Sequence, residues 1–135
     1  MCLWRETFEF EWNTPKFTCD INAKEEGFNH SIAHGTRQIS RWHWAMVMDY
    51  YRNDTYDQAI TKAVQKASAV LDIGSGTGLL SMFAARAGAK EIYTVEGTEA
   101  MADMAQRCLK KNGYLENVKG FCMMSTEMEV DQNYP

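Results

Sequence analysis

The sequence predicts an α/β chain whose core is a βαβαβ unit, the N-terminal half of a doubly wound parallel sheet. Three observations point there. Residues 69–73 and 91–96 are short stretches rich in Ile, Val, Leu and Tyr, and residues 118–123 form a third strand candidate. Between them, two longer segments place apolar side chains three and four residues apart, as a half-buried helix does. Glycines punctuate the junctions: Gly74, Gly76 and Gly78 open the first of these helices, Gly88 closes it, and Asn112-Gly113 closes the second. Strands and helices alternating at this spacing build a parallel sheet with helical crossovers.

The elements can be justified in order. Within residues 1–20, Phe8, Phe10 and Trp12 alternate with Thr7, Glu9 and Glu11, the period of an extended strand. Asn13-Thr14-Pro15 is a turn signal, so a hairpin returning through Phe17 is expected. Residues 21–38 are polar, contain Gly27 and Gly35, and read as a mobile segment. Order returns near Ser40. One helix is expected over 41–48 and a second from Asp49 or Asp54, either of which can act as N-cap. Tyr56, Ile60, Ala63, Val64 and Ala67 are its expected apolar face. Leu79, Leu80, Phe83, Ala84 and Ala87 stripe the next helix, and Met101, Met104, Ala105, Cys108 and Leu109 the one after, with Met101 and Met104 as core filler. The chain thus divides into an N-terminal extended segment, 1–38, and an α/β binding domain, 39–135. A complete doubly wound fold continues with further strands, so the sequence reads as a fragment of a longer protein.

Composition narrows the function classes. The 135 residues carry 14 Lys and Arg against 18 Asp and Glu, a net charge of −4. That balance lacks the basic excess of a nucleic-acid binder, so no direct nucleic-acid partner is expected. No apolar run approaches the roughly 20 residues of a membrane span, and Met1-Cys2-Leu3-Trp4-Arg5-Glu6 does not lead into a signal-peptide core. Cys2, Cys19, Cys108 and Cys122 lie far apart with no C-x-x-C pair. They are expected to be reduced thiols of a cytoplasmic or nuclear protein. His30 and His34 stand four apart with no third ligand in view, so no metal is expected.

The densest chemistry is Val70-Leu71-Asp72-Ile73-Gly74-Ser75-Gly76-Thr77-Gly78, a strand end that opens a helix. Glycines let the backbone turn tightly there and let a ligand approach without meeting a Cβ. Spacing argues against phosphate. A dinucleotide loop needs its last glycine at position 79, which is Leu79, and no Gly-Lys follows as a P-loop requires. Asp72, two residues before the first glycine, would repel phosphates and welcome a cationic or amino-bearing group. Glu96 ends the next strand, 24 residues after Asp72, where an acid accepts from both hydroxyls of a ribose. The combination favours a nucleoside without a diphosphate, and S-adenosyl-L-methionine fits.

These residues also carry a family resemblance. The run from Val70 to Ala89, with Val95-Glu96, resembles the first two motifs of the protein arginine N-methyltransferases. Trp42-His43-Trp44-Ala45-Met46-Val47-Met48-Asp49 and Arg52-Asn53-x-x-Tyr56-x-x-Ala59-Ile60 resemble that family's cofactor-covering helices. Trp42-His43 and Lys62-Ala63-Val64 are similar to the ninth member, Met101-Ala102-Asp103 and Lys111-Asn112-Gly113 to the seventh. The resemblance spans about residues 39–130.

It implies a class I S-adenosylmethionine-dependent methyltransferase of Rossmann-like fold, preceded by helices and an extended segment. Position by position, it implies that Arg52 pairs with the methionine carboxylate of the cofactor. A cation in a helix's first turn opposes the helix dipole and favours a compensating anion, which agrees. His43 matches a cofactor-contacting position; a histidine packed between two tryptophans is the alternative. Gly74 and Gly76 match the backbone approach, and Glu96 the ribose acid. For the adenine edge, Thr126 or Glu127, with Ser125, are the candidates, against an ordinary strand-end cluster. Residues 32–38 are polar and non-aromatic where many members carry a Tyr- and Phe-rich closing segment.

The resemblance further implies methyl transfer from S-adenosyl-L-methionine to an arginine guanidinium of a protein substrate, in a full-length protein that can dimerise. The family's two catalytic glutamates align beyond residue 135, so no catalytic residue is assigned and the chain alone is expected to be inactive. Two other readings stay open: a non-catalytic cofactor-binding module, and a small-molecule methyltransferase sharing the nucleotide loop.

Overall fold

The computed structural model of the chain describes residues 7–10, 17–20, 41–64 and 69–129. The Asn13-Thr14-Pro15 turn, segment 21–38 with its two histidines, and Ala67 lie outside those residues. The expected hairpin is present as two short strands, β1 (Thr7–Phe10) and β2 (Phe17–Asp20), paired antiparallel with Phe10 opposite Phe17.

Two helices follow, α1 (Arg41–Val47) and α2 (Tyr50–Val64). Of the two N-cap candidates, Asp49 takes the role. Its Oδ1 accepts the Arg52 backbone N–H at 3.0 Å, the third residue of the helix, and its carbonyl accepts the Asn53 N–H at 3.0 Å. The inward face of α2 differs from the hydropathy stripe. Asn53 and Val64 are buried and Ile60 packs on the core, whereas Tyr56 and Ala63 are exposed. The reason is polar. Asn53 reaches inward to donate its Nδ2 to the Val47 carbonyl at 2.6 Å, and Asp57 forms an ion pair with Arg86 of the following helix. Those two contacts set the rotation of α2, and Tyr56 is left outside, under the Arg52 guanidinium.

The rest alternates as expected: β3 (Ala69–Ile73), α3 (Leu79–Arg86), β4 (Glu91–Glu96), α4 (Glu99–Lys111) and β5 (Val118–Cys122). The three strands form one parallel sheet in the order β3-β4-β5, with Ile73 opposite Val95 and Glu96 opposite Cys122. β4, paired on both sides, is buried from Ile92 to Val95, while β3 stays partly exposed along its length. Both crossover helices end in a left-handed glycine. Gly88 has φ 93°, and past it the Ala89 N–H returns to the Ala84 carbonyl while its own N–H bonds Ala85. A residue with a Cβ would be strained there, which is why the helix stops at this glycine.

Phe83, Ile92, Met104, Cys108 and Leu109 are all but inaccessible and, with Val64, Met82 and Val118, form one core beneath α3 and α4. Met104 does the filling expected of it at 1% exposure, and Met101, partly buried, packs against the core while also lining the cavity described below. Met104→Ala is therefore expected to lower unfolding free energy by about 2–5 kcal/mol, the range for emptying a packed apolar site, measured as a shifted urea midpoint with unchanged slope.

Candidate functional site

The strands β3 and β4 end side by side, and beyond their carboxyl ends lies a cavity of about 340 Å³. This is where open parallel sheets take their ligands. One wall is the glycine loop, from Gly74 to Thr77, with Asp72 and Glu96 at the strand ends. The opposite wall comes from α1 through Trp42, His43, Met46 and Val47, and from α2 through Arg52.

The loop is held to the sheet by its own backbone. Gly74 and Ser75 donate their N–H groups to the Val95 carbonyl at 2.7 and 3.2 Å. Gly76 then turns with φ 57°, and a Cβ placed on it would sit 2.8 Å from His43 Cε1. Only glycine satisfies both the left-handed backbone and the closeness of the imidazole. Glu96 braces the arrangement. Its Oε2 accepts the Gly76 N–H at 3.0 Å and its Oε1 accepts the Thr98 N–H at 2.9 Å. Each carboxylate oxygen has further acceptor capacity, so the side chain is oriented by the backbone yet able to take two more donors.

Three other groups give the cavity its charge pattern. Burial pushes the Asp72 carboxyl above its ordinary value of 3.8; hydrogen bonds from the Ser81 hydroxyl and backbone pull it back, and Glu96 pushes it up again. The Ser81 hydroxyl, itself inaccessible, donates to Asp72 Oδ2 at 2.5 Å. His43 is buried, with its ring edge-on to Trp42 and Trp44 at centroid distances of 6.1 and 5.8 Å. The ring is thus packed between tryptophans and also lines the cavity. Its Nε2 has no hydrogen-bond partner among the described residues. Burial lowers its pKa from 6.5, Glu96 raising it and Arg52 lowering it further. Arg52 donates Nη1 to Asn53 Oδ1 at 2.7 Å and lies 4.7 Å over the Tyr56 ring; among the described residues no carboxylate pairs with its guanidinium.

The structure therefore brings His43, Arg52, Asp72, Gly74, Gly76 and Glu96 around one cavity. It does not bring Ser125, Thr126 and Glu127 there. They form an exposed 3-10 turn (Ser125–Glu127) after β5, and Glu127 Oε2 accepts the N–H of Met124 at the head of its own turn. The turn is nonetheless next to the site: the Met123 N–H donates to the Glu96 carbonyl at 3.2 Å, and Met124 Sδ lies over Gly97. Sequence reasoning missed Ser81 and the buried role of Asn53. The signal was available in each case, a small polar residue on the inward side of a helix: Ser81 within Leu79–Arg86, and Asn53 four and eleven residues before Asp57 and Val64. Among the described residues no group of three His, Cys, Asp or Glu side chains could hold a metal, and no helix is long and apolar enough to cross a membrane.

Comparison with known proteins bears on this site. Residues 56–133 match the family model described as ribosomal protein L11 methyltransferase (PrmA), a match that covers most of α2 and the whole sheet. Protein arginine N-methyltransferase 9 of Mus musculus is 38% identical over 121 residues, 89% of this chain and 14% of that protein. The arginine N(omega)-methyltransferase of Streptomyces achromogenes subsp. streptozoticus is 37% identical over 93 residues, 69% of this chain and 26% of that one. The Trypanosoma brucei PRMT1 enzyme–prozyme heterotetrameric complex with AdoHcy superposes with a TM-score of 0.61 at 33% identity, over 67% of this chain and 29% of that chain.

The chain belongs to the protein arginine N-methyltransferase family. The fold is that of the family's methyltransferase domain, and the PrmA match reflects the same βαβαβ core. The chain spans less than a third of each of these relatives, from 14% to 29%.

The lowered pKa of His43 has a consequence for stability. A group whose folded pKa lies below its unfolded value stabilises the fold above the unfolded value, 6.5, and that contribution is lost as pH falls through the folded value. Melting temperature should therefore decline from about pH 7.5 to about pH 5, and His43→Gln should flatten that decline. Parallel thermal melts of the two proteins across this range check it.

Proposed function

We propose that this chain is the cofactor-binding half of a protein arginine N-methyltransferase, and that its cavity takes S-adenosyl-L-methionine. One observation carries the reading: Glu96 is held facing the cavity by two backbone N–H groups while keeping free acceptor capacity. A ribose presents two adjacent hydroxyl donors to such a carboxylate. Arg52, a cation with no carboxylate partner among the described residues, suits the amino acid's carboxylate, and Asp72 its ammonium. The left-handed Gly76 leaves the nucleoside room that a Cβ would fill. His43 closes the cavity from the helical side.

The bound cofactor supplies an electrophilic methyl on a sulfonium, open to in-line displacement. The chain's residues hold that molecule in one orientation and keep water from it, and orientation is the main lever for such a transfer. The acceptor in this reading is a guanidinium nitrogen of a protein arginine, delivered by the full-length protein, which dimerises. No residue of this chain is assigned to catalysis. Ser125, Thr126 and Glu127 remain our candidates for the adenine edge, since their turn adjoins Glu96 and Gly97. A cytoplasmic or nuclear setting with reduced thiols belongs to the same reading. Similarity to the Streptomyces enzyme favours a second acceptor class, arginine as a small molecule, with the same cofactor site.

Isothermal titration with S-adenosylhomocysteine tests the cavity. The wild-type chain is expected to bind with one site, and Glu96→Ala and Arg52→Ala each to weaken binding by roughly 10- to 150-fold, the loss of hydrogen bonds to a charged group. Equal affinity in all three proteins would refute both assignments.

A further inference from the structure

Asn53 is inaccessible to solvent, yet its side chain does not serve the core. It makes two directed contacts. Its Nδ2 donates to the Val47 carbonyl at 2.6 Å, where α1 ends, and its Oδ1 accepts Arg52 Nη1 at 2.7 Å. A buried amide with both ends engaged is fixed in direction, because turning it would orphan a donor and an acceptor away from water.

Arg52 needs such a support. It stands three residues into α2, where the helix's positive end disfavours a cation, and a flexible arginine stem has many rotamers to lose on binding. Two groups restrain it: the Tyr56 ring under its guanidinium and the Asn53 oxygen at one of its five N–H donors. The ring contact constrains the plane. The amide contact constrains rotation within that plane, and it is itself referenced to the end of α1. That same helix carries Trp42, His43, Met46 and Val47 into the cavity.

From this geometry we propose that Asn53 is a positioning residue for the ligand's carboxylate. It aims the Arg52 guanidinium into the cavity and couples that aim to the seating of α1. This rests on the cavity being a nucleoside amino-acid site, as proposed above. The amide touches no ligand; it presets Arg52, so the ligand's carboxylate meets a cation already ordered. The adenosine end of the ligand, against the glycine loop and Glu96, does not depend on it.

The test uses two ligands that differ in the group at issue. S-adenosylhomocysteine carries the amino-acid carboxylate, and 5′-methylthioadenosine keeps the nucleoside and the sulfur but lacks the amino acid. Asn53→Ala, and Asn53→Leu as a variant that refills the buried volume without an acceptor, are titrated with both. Each variant should lose roughly tenfold in affinity for S-adenosylhomocysteine and change by less than about twofold for 5′-methylthioadenosine. In an Arg52→Ala background, Asn53→Leu should have no further effect on S-adenosylhomocysteine. A parallel loss of both ligands, or an undiminished loss without Arg52, would show a merely structural role and overturn the proposal. If wild type binds neither ligand, the nucleoside reading fails and this inference falls with it.

Discussion

One carboxylate holds the site together. Glu96 ends β4, and its two oxygens accept N–H groups from opposite directions, Gly76 in the loop after β3 and Thr98 at the start of α4. The neighbouring strands are in register through Ile73 and Val95, so the loop and the carboxylate are set at the same level of the sheet. Remove the bracket and, among the described residues, the glycine loop is tied to the sheet by the two N–H bonds to the Val95 carbonyl. The loop it fixes carries the contact with the helical wall, where His43 rests against Gly76, and Asp72 and Arg52 face the same cavity. Backbone donors are an economical way to orient a carboxylate, since they arrive with the sheet and add no side-chain entropy loss.

The second half of the cavity is made differently. Helices α1 and α2 meet at a corner where Val47 is buried and directed polar contacts fix the angle. Asp49 caps α2, and Asn53 ties the new helix to the carbonyl end of the old one. Such contacts are directional, and an unsatisfied buried amide costs about 1–3 kcal/mol, so the corner has one preferred geometry. Its outer side is another matter. Met48, Tyr50 and Tyr51 are well exposed there, with Tyr51 at 85%.

Much of this was legible in the residues themselves. The sheet and its two crossover helices were readable because glycine and apolar spacing agree: Gly88 and Gly113 fall where the stripes stop, and both adopt positive φ. Asp72, Gly74, Gly76 and Glu96 were readable because a glycine turn and acids mark the strand ends, whereas His43 and Arg52 were reached through the family resemblance. The face of α2 was misread for a physical reason. Hydropathy ranks Tyr56 and Ala63 above Asn53 and Asp57, but a polar side chain with a buried partner turns inward regardless of its hydropathy. Ser125, Thr126 and Glu127 stand beside the cavity, not in its lining, a placement that linear spacing does not give because it counts residues and says nothing of direction. The chain turns after Cys122, and Glu127 closes that turn on Met124 instead of facing Glu96.

In the proposed mode of binding, a nucleoside amino acid seats against the Glu96 bracket, between the glycine loop and α1. Amide chemical shifts report on that bracket directly, because the Gly76 and Thr98 N–H groups are its two donors. On titration of a 15N-labelled chain with S-adenosylhomocysteine, the largest shifts are expected at Gly76 and Thr98, with smaller ones along residues 42–47 and at Arg52, and little change in β5. Saturable shifts centred elsewhere on the molecule, with Gly76 and Thr98 unmoved, would contradict it.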